Sequence, residues 1–314
     1  MFKKYSIVLL LSALCAPFSL LATDDFVMQA QVVAPGVYAV IPPTRELPNP
    51  DNRGWNANSA FVVTKQGVLL FDSGSSTHIG AALKKTIATV TNKPVRWIVN
   101  SHAHGDHWLG NAAFEDTAER IYASPTVIEQ IRAEGSNWVN SFNSMTRGAT
   151  GDSKIVVPTH PVEAKIRERL GGTTFVLLPS GDSHSPGDLL LWLPESRVLL
   201  SGDVVYSDRM PSTNNSNLQQ WIRLLPELVQ LKPAAVIPGH GTVTDVNGIT
   251  LLHDLLSALW QAVAEGVERG LAAYETVPLV RDKLAQYESA YAGMDEKLAR
   301  DVPRVYLQVE AAMF

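Results

Sequence analysis

Ser101-His102-Ala103-His104-Gly105-Asp106-His107 places four metal-capable side chains within six residues and holds three of the chain's eight histidines. Neutral imidazoles and a carboxylate are good ligands for a divalent transition metal, zinc foremost. Two ligands in one cluster would suit a single ion, whereas four imply that the segment serves more than one. Residues two apart share a face on an extended segment but not on a helix. His102 and His104 are therefore expected at a strand end, delivered by the apolar run of residues 95–100. Asp106 and His107 are adjacent and diverge unless the chain turns, and Gly105 and Gly110 permit that turn. One pair can then serve one ion and the other pair a second ion nearby.

Outward from the cluster, apolar patterning gives strands over 32–41, 59–63, 67–72, 121–123, 174–178, 188–193, 197–201 and 235–237. Helical spacing appears over 79–90, 125–134 and 218–231, and nothing but helix follows residue 251, over 251–270, 276–284 and 302–312. Strands alternating with helices, some paired through short turns, give a layered α/β class. Residues 136–151, rich in Asn, Ser, Thr and Gly, read as a mobile loop. Residues 42–58 hold Arg45, Asn52, Trp55, Asn56 and Asn58 in a polar stretch, either a lid or binding loop or a solvated connection.

Two coordination spheres need more ligands than the cluster offers. His184, Asp203 and His240 each lie at an expected strand end and are flanked by glycine, which lets backbone approach a site closely. One strand-end histidine is more often a capped loop residue, but three such residues added to the cluster form a constellation. His78, His160 and His253 lack such settings and read as surface or helix histidines.

The motif His102-Ala-His104-Gly-Asp106-His107, followed in order by His184, Asp203 and His240, resembles the signature of the metallo-β-lactamase superfamily. The likeness runs from about Val32 to Thr244 and includes Asp72 at the end of its strand. It implies a four-layer αβ/βα sandwich with metals at one edge between two β-sheets. It also implies that His102, His104 and His184 hold a first zinc and that Asp106, His107 and His240 hold a second. Asp203 would bridge both ions, and Asp72 would orient the histidine loop rather than ligate. A purely structural zinc site fits poorly, because such sites are closed cages rich in Cys. Di-iron oxidoreductases of the superfamily commonly have Glu where His104 stands, so two Zn2+ ions are expected ahead of iron or manganese. Among exported members the chain resembles the quinoprotein relay system zinc metallohydrolases, through residues 202–211 and 301–307.

The start of the chain reads as an export signal: Lys3 and Lys4, an apolar run with Pro17, and a cleavage point at Ala22. The expected organisation is a signal peptide (1–22), a metal-binding domain (23–248) and a C-terminal helical extension (249–314), in a periplasmic or secreted protein without a stable membrane anchor. Cys15 is the one cysteine, so a mature chain has no thiolate ligand. Losing Lys3 and Lys4 takes 26 basic residues to 24 against 31 acidic, a net charge of −7. That balance opposes binding to a phosphate backbone, so no nucleic-acid partner is expected. The apolar face of Leu251, Leu252, Leu255, Leu256, Leu259 and Val263 either packs on the sandwich or makes a homodimer.

Two divalent ions roughly 3.5–4 Å apart can share a water and bring its pKa towards neutrality. The expected function is an exported dinuclear zinc hydrolase using a metal-bridging hydroxide, with Asp106 as catalytic proton carrier. Its substrate would be a small ester, lactone, thioester or β-lactam. A periplasmic β-lactamase and a non-catalytic metal-binding accessory of a quinoprotein pathway are the alternatives. Tyr206, Arg209, Arg45 and Trp55 are the expected substrate contacts.

Overall fold

The structure, a computed structural model, describes residues 28–43 and 46–313. The expected signal peptide and Arg45 lie outside the described residues.

The first sheet begins with a hairpin, β1 (Ala30–Ala34) and β2 (Val37–Val40), followed by β3 (Ser59–Val63) and β4 (Val68–Phe71). Residues 32–41 are thus two strands rather than one. Gly36 takes the left-handed conformation, φ +76°, that reverses the chain between them. Helix α1 (Thr77–Val90), capped by the Ser76 side chain, leads to β5 (Val95–Val99). After β5 come the one-turn helix α2 (Gly105–Trp108) and a 3-10 turn, then β6 (Arg120–Ala123), α3 (Pro125–Met145) and β7 (His160–Pro161). The sheet order is β1 to β7 in sequence, antiparallel up to β4 and parallel beyond it.

Residues 136–145 continue a helix, contrary to the expected loop. Gly135 lets α3 lie flush on Trp108 and Ile155, where a Cβ would come within 3.2 and 3.3 Å. Trp138, Val139 and Phe142 then pack on the cluster around Trp108 and Ile131. Tertiary burial overrides the weak local propensity of Ser136, Asn137 and Asn140.

The second sheet contains β8 (Ile166–Leu170), β9 (Thr173–Gly181), β10 (Asp188–Leu193), β11 (Val198–Tyr206) and, after α4 (Leu218–Gln230), β12 (Ala235–His240). Its order is β12-β11-β10-β9-β8, with only β11 and β12 parallel. Helices α5 (Val246–Glu268), α6 (Ala273–Leu284) and α7 (Met294–Met313) complete the described chain.

Three apolar cores stack these elements into four layers. Leu69, Phe71, Trp97 and Val99 of the first sheet meet Leu177, Leu191, Leu200 and Ile237 of the second. On the outer face of the first sheet, Leu70 and Ile98 pack on Ile79, Leu83 and Ile87 of α1. On the outer face of the second, Leu190 and Leu199 join Leu225 of α4, Leu255, Leu256 and Leu259 of α5, and Val302 and Val305 of α7. Successive strand residues therefore face different cores, which is why these strands read as continuous apolar runs. Each such leucine contributes roughly 1.5–3 kcal/mol on full burial, so the C-terminal helices are held by their apolar stripe. The result is the two-sheet α/β sandwich with C-terminal helices, open along the edge where β5, β9, β11 and β12 deliver the site.

Candidate metal centre

Immediately after β5 the chain bends and then turns into α2. His104 keeps an extended backbone, and His107 N–H donates to its carbonyl at 3.1 Å, so the turn begins after the His102–His104 pair. The turn answers the problem of the adjacent pair: Asp106 Oδ1 and His107 Nε2 come to 3.7 Å of each other.

Asp72 holds this loop from beneath. Its carboxylate accepts from Ser101 N–H at 2.8 Å and Ser101 Oγ at 2.7 Å, and it lies 2.8 Å from His107 Nδ1. Burial raises the Asp72 pKa, against the opposing effect of His107 and Ser101. The bond to Nδ1 turns His107 Nε2 toward the cavity.

The other ligand candidates arrive from the second sheet. His184 sits in the turn between β9 and β10, where Asp188 ties the loop by accepting from Ser183 Oγ (2.7 Å), Ser185 N–H (2.9 Å) and Ser185 Oγ (2.5 Å). Burial pushes the Asp188 carboxyl up to about 7. Asp203 lies inside β11, not at its end, because that strand continues to Tyr206 through shifts in register at Gly202. Two glycines make room for it. A Cβ at Gly202, whose φ is +51°, would fall 2.5 Å from Ser101 Cβ, and one at Gly239 would fall 1.9 Å from Asp203 Oδ1. His240 is the last residue of β12.

The seven predicted residues converge in two adjoining groups. Ligand atoms of His102, His104, His184 and Asp203 all lie within 4.8 Å of one another, and so do those of Asp106, His107 and His240. Asp203 stands between the groups. Its Oδ2 is 3.4 Å from His184 Nε2 and 3.3 Å from His240 Nε2, while Oδ1 is 3.2 Å from His107 Nε2. His78 is exposed, and His160 and His253 are half-buried elsewhere.

Electrostatics and bonding both suit a cation. Burial holds His102 and His104 below the usual imidazole range and pushes His184 down to about 3, leaving the neutral form that ligates metals. Yet ring nitrogens face each other closely: His102 Nε2 is 2.9 Å and His184 Nε2 3.2 Å from His104 Nδ1. His107 Nε2 and Asp203 Oδ1 are buried without a hydrogen-bond partner. Burial opposes the Asp203 carboxylate, but His240 and His107 overcome it and hold the pKa well below the ordinary value. Burial likewise opposes a charged His107, which Asp203, Asp106 and Asp72 together raise well above the usual range. A donor set of imidazoles and carboxylates without sulfur fits zinc, and it fits the harder divalent ions less well.

Asn56 joins the long loop to the centre. Its Nδ2 donates to Asp106 Oδ2 at 3.1 Å, and its carbonyl lies 2.7 Å from His240 Nδ1. Arg209 Nη1 is also 3.2 Å from His240 Nδ1. A carbonyl can only accept, so Nδ1 carries its proton toward Asn56, and Arg209 is a neighbour rather than a second bond. That tautomer frees His240 Nε2 for the site. Asn58 Nδ2 donates to the carbonyls of Pro238 and Gly241, each at 2.8 Å, and Asn52 bonds the loop to itself at Asn49, Leu47 and Gly54. The described part of residues 42–58 is therefore a fixed wall of the site.

A cavity of about 380 Å³ opens above Asp106, Asp203 and His240. Tyr206 and Arg209, two of the expected contacts, line it, but Trp55 is buried in the core beside Ile79 and Leu83. Tyr206 donates to Asp203 Oδ2 and stacks on the His240 ring. Burial, then Asp203, pushes its pKa well above the ordinary value, so it stays a donor. Trp138 and Lys297, Arg300 and Arg304 also line the cavity, and the sequence reading passed them over. The last three recur at i, i+3 and i+7 on α7, a spacing that marks one helix face.

Fold and site together define a two-sheet α/β scaffold with its metal-ligand candidates on the shared edge. The chain belongs to the metallo-beta-lactamase superfamily, whose family model matches residues 52–240. It is similar to the metallo-beta-lactamase IND-1 of Chryseobacterium indologenes, with 26% identity over 76% of this chain and 92% of that one. It also resembles a linear primary-alkylsulfatase of a Pseudomonas strain, with 23% identity over 65% of this chain, of which it spans only 44%. The solved metallo-beta-lactamase FIM-1 of Pseudomonas aeruginosa, in a mono-zinc form, shares the fold with a TM-score of 0.60 and 18% identity, over 74% of this chain and 96% of that one.

Proposed function

We propose that the protein is a dinuclear zinc hydrolase acting on a small ester, lactone, thioester or β-lactam. The observation that carries this is the placement of Asp203 between two complete ligand groups, within 3.4 Å of histidines from both. His102, His104 and His184 would hold one ion, Asp106, His107 and His240 the other, and Asp203 both. Metal held there would supply Lewis acidity that lowers the pKa of the attacking water and polarises the scissile bond.

The chain's own groups supply the rest. Burial works to raise the Asp106 pKa, but His107 and His240 outweigh it and keep the carboxyl below its usual range. Asp106 can then accept a proton from the attacking water at Oδ2 and return it to the leaving group. Asn56 Nδ2 fixes that carboxylate, and Tyr206 Oη, whose one proton goes to Asp203 Oδ2, holds the carboxylate between the two ligand groups.

The reaction class is supported by superfamily relatives named as β-lactamases and as an alkylsulfatase. Asp at position 203 and the absence of cysteine beyond Cys15 make an oxygen-rich bridge, which suits esters, lactones and thioesters as well as lactams. Export with cleavage after Ala22, and kinship with the quinoprotein relay metallohydrolases, belong to the same proposal. Among the described residues no helix is long and apolar enough to cross a membrane.

The test is a hydrolysis screen of zinc-loaded protein against esters, thioesters, lactones and a chromogenic β-lactam. Zinc-dependent turnover of at least one class, abolished in His104→Ala, is expected. Tight zinc binding without turnover of any of them would instead favour a metal-binding accessory.

A further inference from the structure

Two groups of residues lining the cavity differ in kind. One comes from α3, where Trp138 and Phe142 present rings, and Trp138 lies 5.3 Å from the His104 ring. The other comes from α7 and the segment after β11, with Lys297, Arg300 and Arg304 beside Arg209. Arg209 and Lys297 are each only 7% exposed.

These cations have few anionic partners. Arg300 Nε lies 2.9 Å from the buried Asp301 carboxylate, which also accepts from Thr213 N–H. Arg304 donates to the neutral Asn214 side chain and Lys297 to the Met210 carbonyl, while Arg209 Nη1 lies 3.2 Å from the His240 ring. Among the described residues, Arg300 alone of the four has a carboxylate at salt-bridge distance. Asp106 and Asp203, the acidic groups of the cavity floor, are engaged by histidines. Burial and then Arg209 push the Lys297 amine down to about 7, against the opposing pull of Asp301 and Asp203.

We propose that α7, which lies outside the family match, completes the active site with an anion subsite. Lys297, Arg300 and Arg304 together with Arg209 take an oxyanion of the substrate, while Trp138 and Phe142 take its apolar part. The substrate is then amphipathic, with a carboxylate, sulfate or phosphate a few bonds from the bond that is cut. As a statement about substrate this rests on the hydrolase reading, but binding can be measured without turnover.

The probes are hexanoate, hexyl sulfate and hexan-1-ol, titrated calorimetrically into zinc-loaded and metal-depleted protein. Arg300 and Arg304 are exposed, so Arg304→Gln and the double variant Arg300→Gln/Arg304→Gln should retain the fold. At least one hexyl anion should bind about tenfold tighter than the alcohol to both forms of the parent, and whichever does identifies the oxyanion. The double variant should lose that advantage, Arg304→Gln should lose part of it, and alcohol binding should not change. Equal anion binding by parent and double variant would overturn the subsite. So would anion binding that vanishes on metal depletion alone, since the anion would then sit on the metal. Absence of turnover in the hydrolysis screen, with arginine-dependent anion binding intact, would remove the hydrolase reading and leave the subsite standing.

Discussion

The floor and the rim of the cavity are built on different physical terms. The floor is made of short side chains at strand ends and on the one-turn helix α2, several of them tied to the frame. His107 is tied at Nδ1 by Asp72, His240 by the Asn56 carbonyl, and the His184 loop by Asp188. The rim is made of long side chains on helices, tied to neutral groups such as the Met210 carbonyl and Asn214. A metal demands ligand positions within a few tenths of an ångström, and short side chains held by a second bond or a tied loop supply that. A substrate's remote groups tolerate more play, and long cationic side chains provide it.

The sharpest way to break this contrast is to remove a floor ligand. His104→Ala and Asp203→Ala should each lower kcat by about three orders of magnitude or more, read by initial rates on whichever substrate the screen finds. Asp72→Asn touches no predicted metal directly, but it should weaken metal affinity by about 10–100-fold, read by competition with a chelator. Asn56→Ala, which frees the Asp106 carboxylate, should lower kcat about tenfold with metal content unchanged. On the rim, Trp138→Leu should raise KM several-fold, up to about tenfold, and leave kcat within about a factor of two. A kcat loss as large as that of Asn56→Ala would erase the distinction between floor and rim.

The smallest effect concerns Lys297. Its folded pKa of about 7 lies below the ordinary 10.5, so over that window the unfolded chain binds a proton that the folded chain does not. Stability should therefore rise with pH from about 7 to about 10. Thermal melts of Lys297→Met should show a flatter dependence over the same range.

The floor was legible in the sequence because its residues are rare types in tight spacing. Histidines and aspartates beside glycine stand out from any apolar pattern, and all seven predicted ligands converge in the fold. The layered architecture was legible for a related reason, since strands buried on both faces leave unbroken runs such as Val68 to Phe71. Two boundaries were not. Gly36 could sit in a strand until its positive φ was known, and residues 136–145 looked like loop because their burial depends on Trp108, distant in sequence. Trp55, expected at the substrate, serves the core, since aromatic character alone does not say which way a ring faces. The rim was hidden for the opposite reason: lysine and arginine on an amphipathic helix are ordinary, and only the packing of α7 turns Lys297, Arg300 and Arg304 toward the cavity.

The central claim is one centre of two ions joined by Asp203, and metal stoichiometry tests it most directly. Protein dialysed to equilibrium against zinc and examined by inductively coupled plasma mass spectrometry should carry two zinc ions per chain, and Asp203→Ala should weaken the retention of both. A parent protein saturating at one ion, an Asp203→Ala variant that still holds two tightly, or iron as the major metal in purified protein would contradict the account.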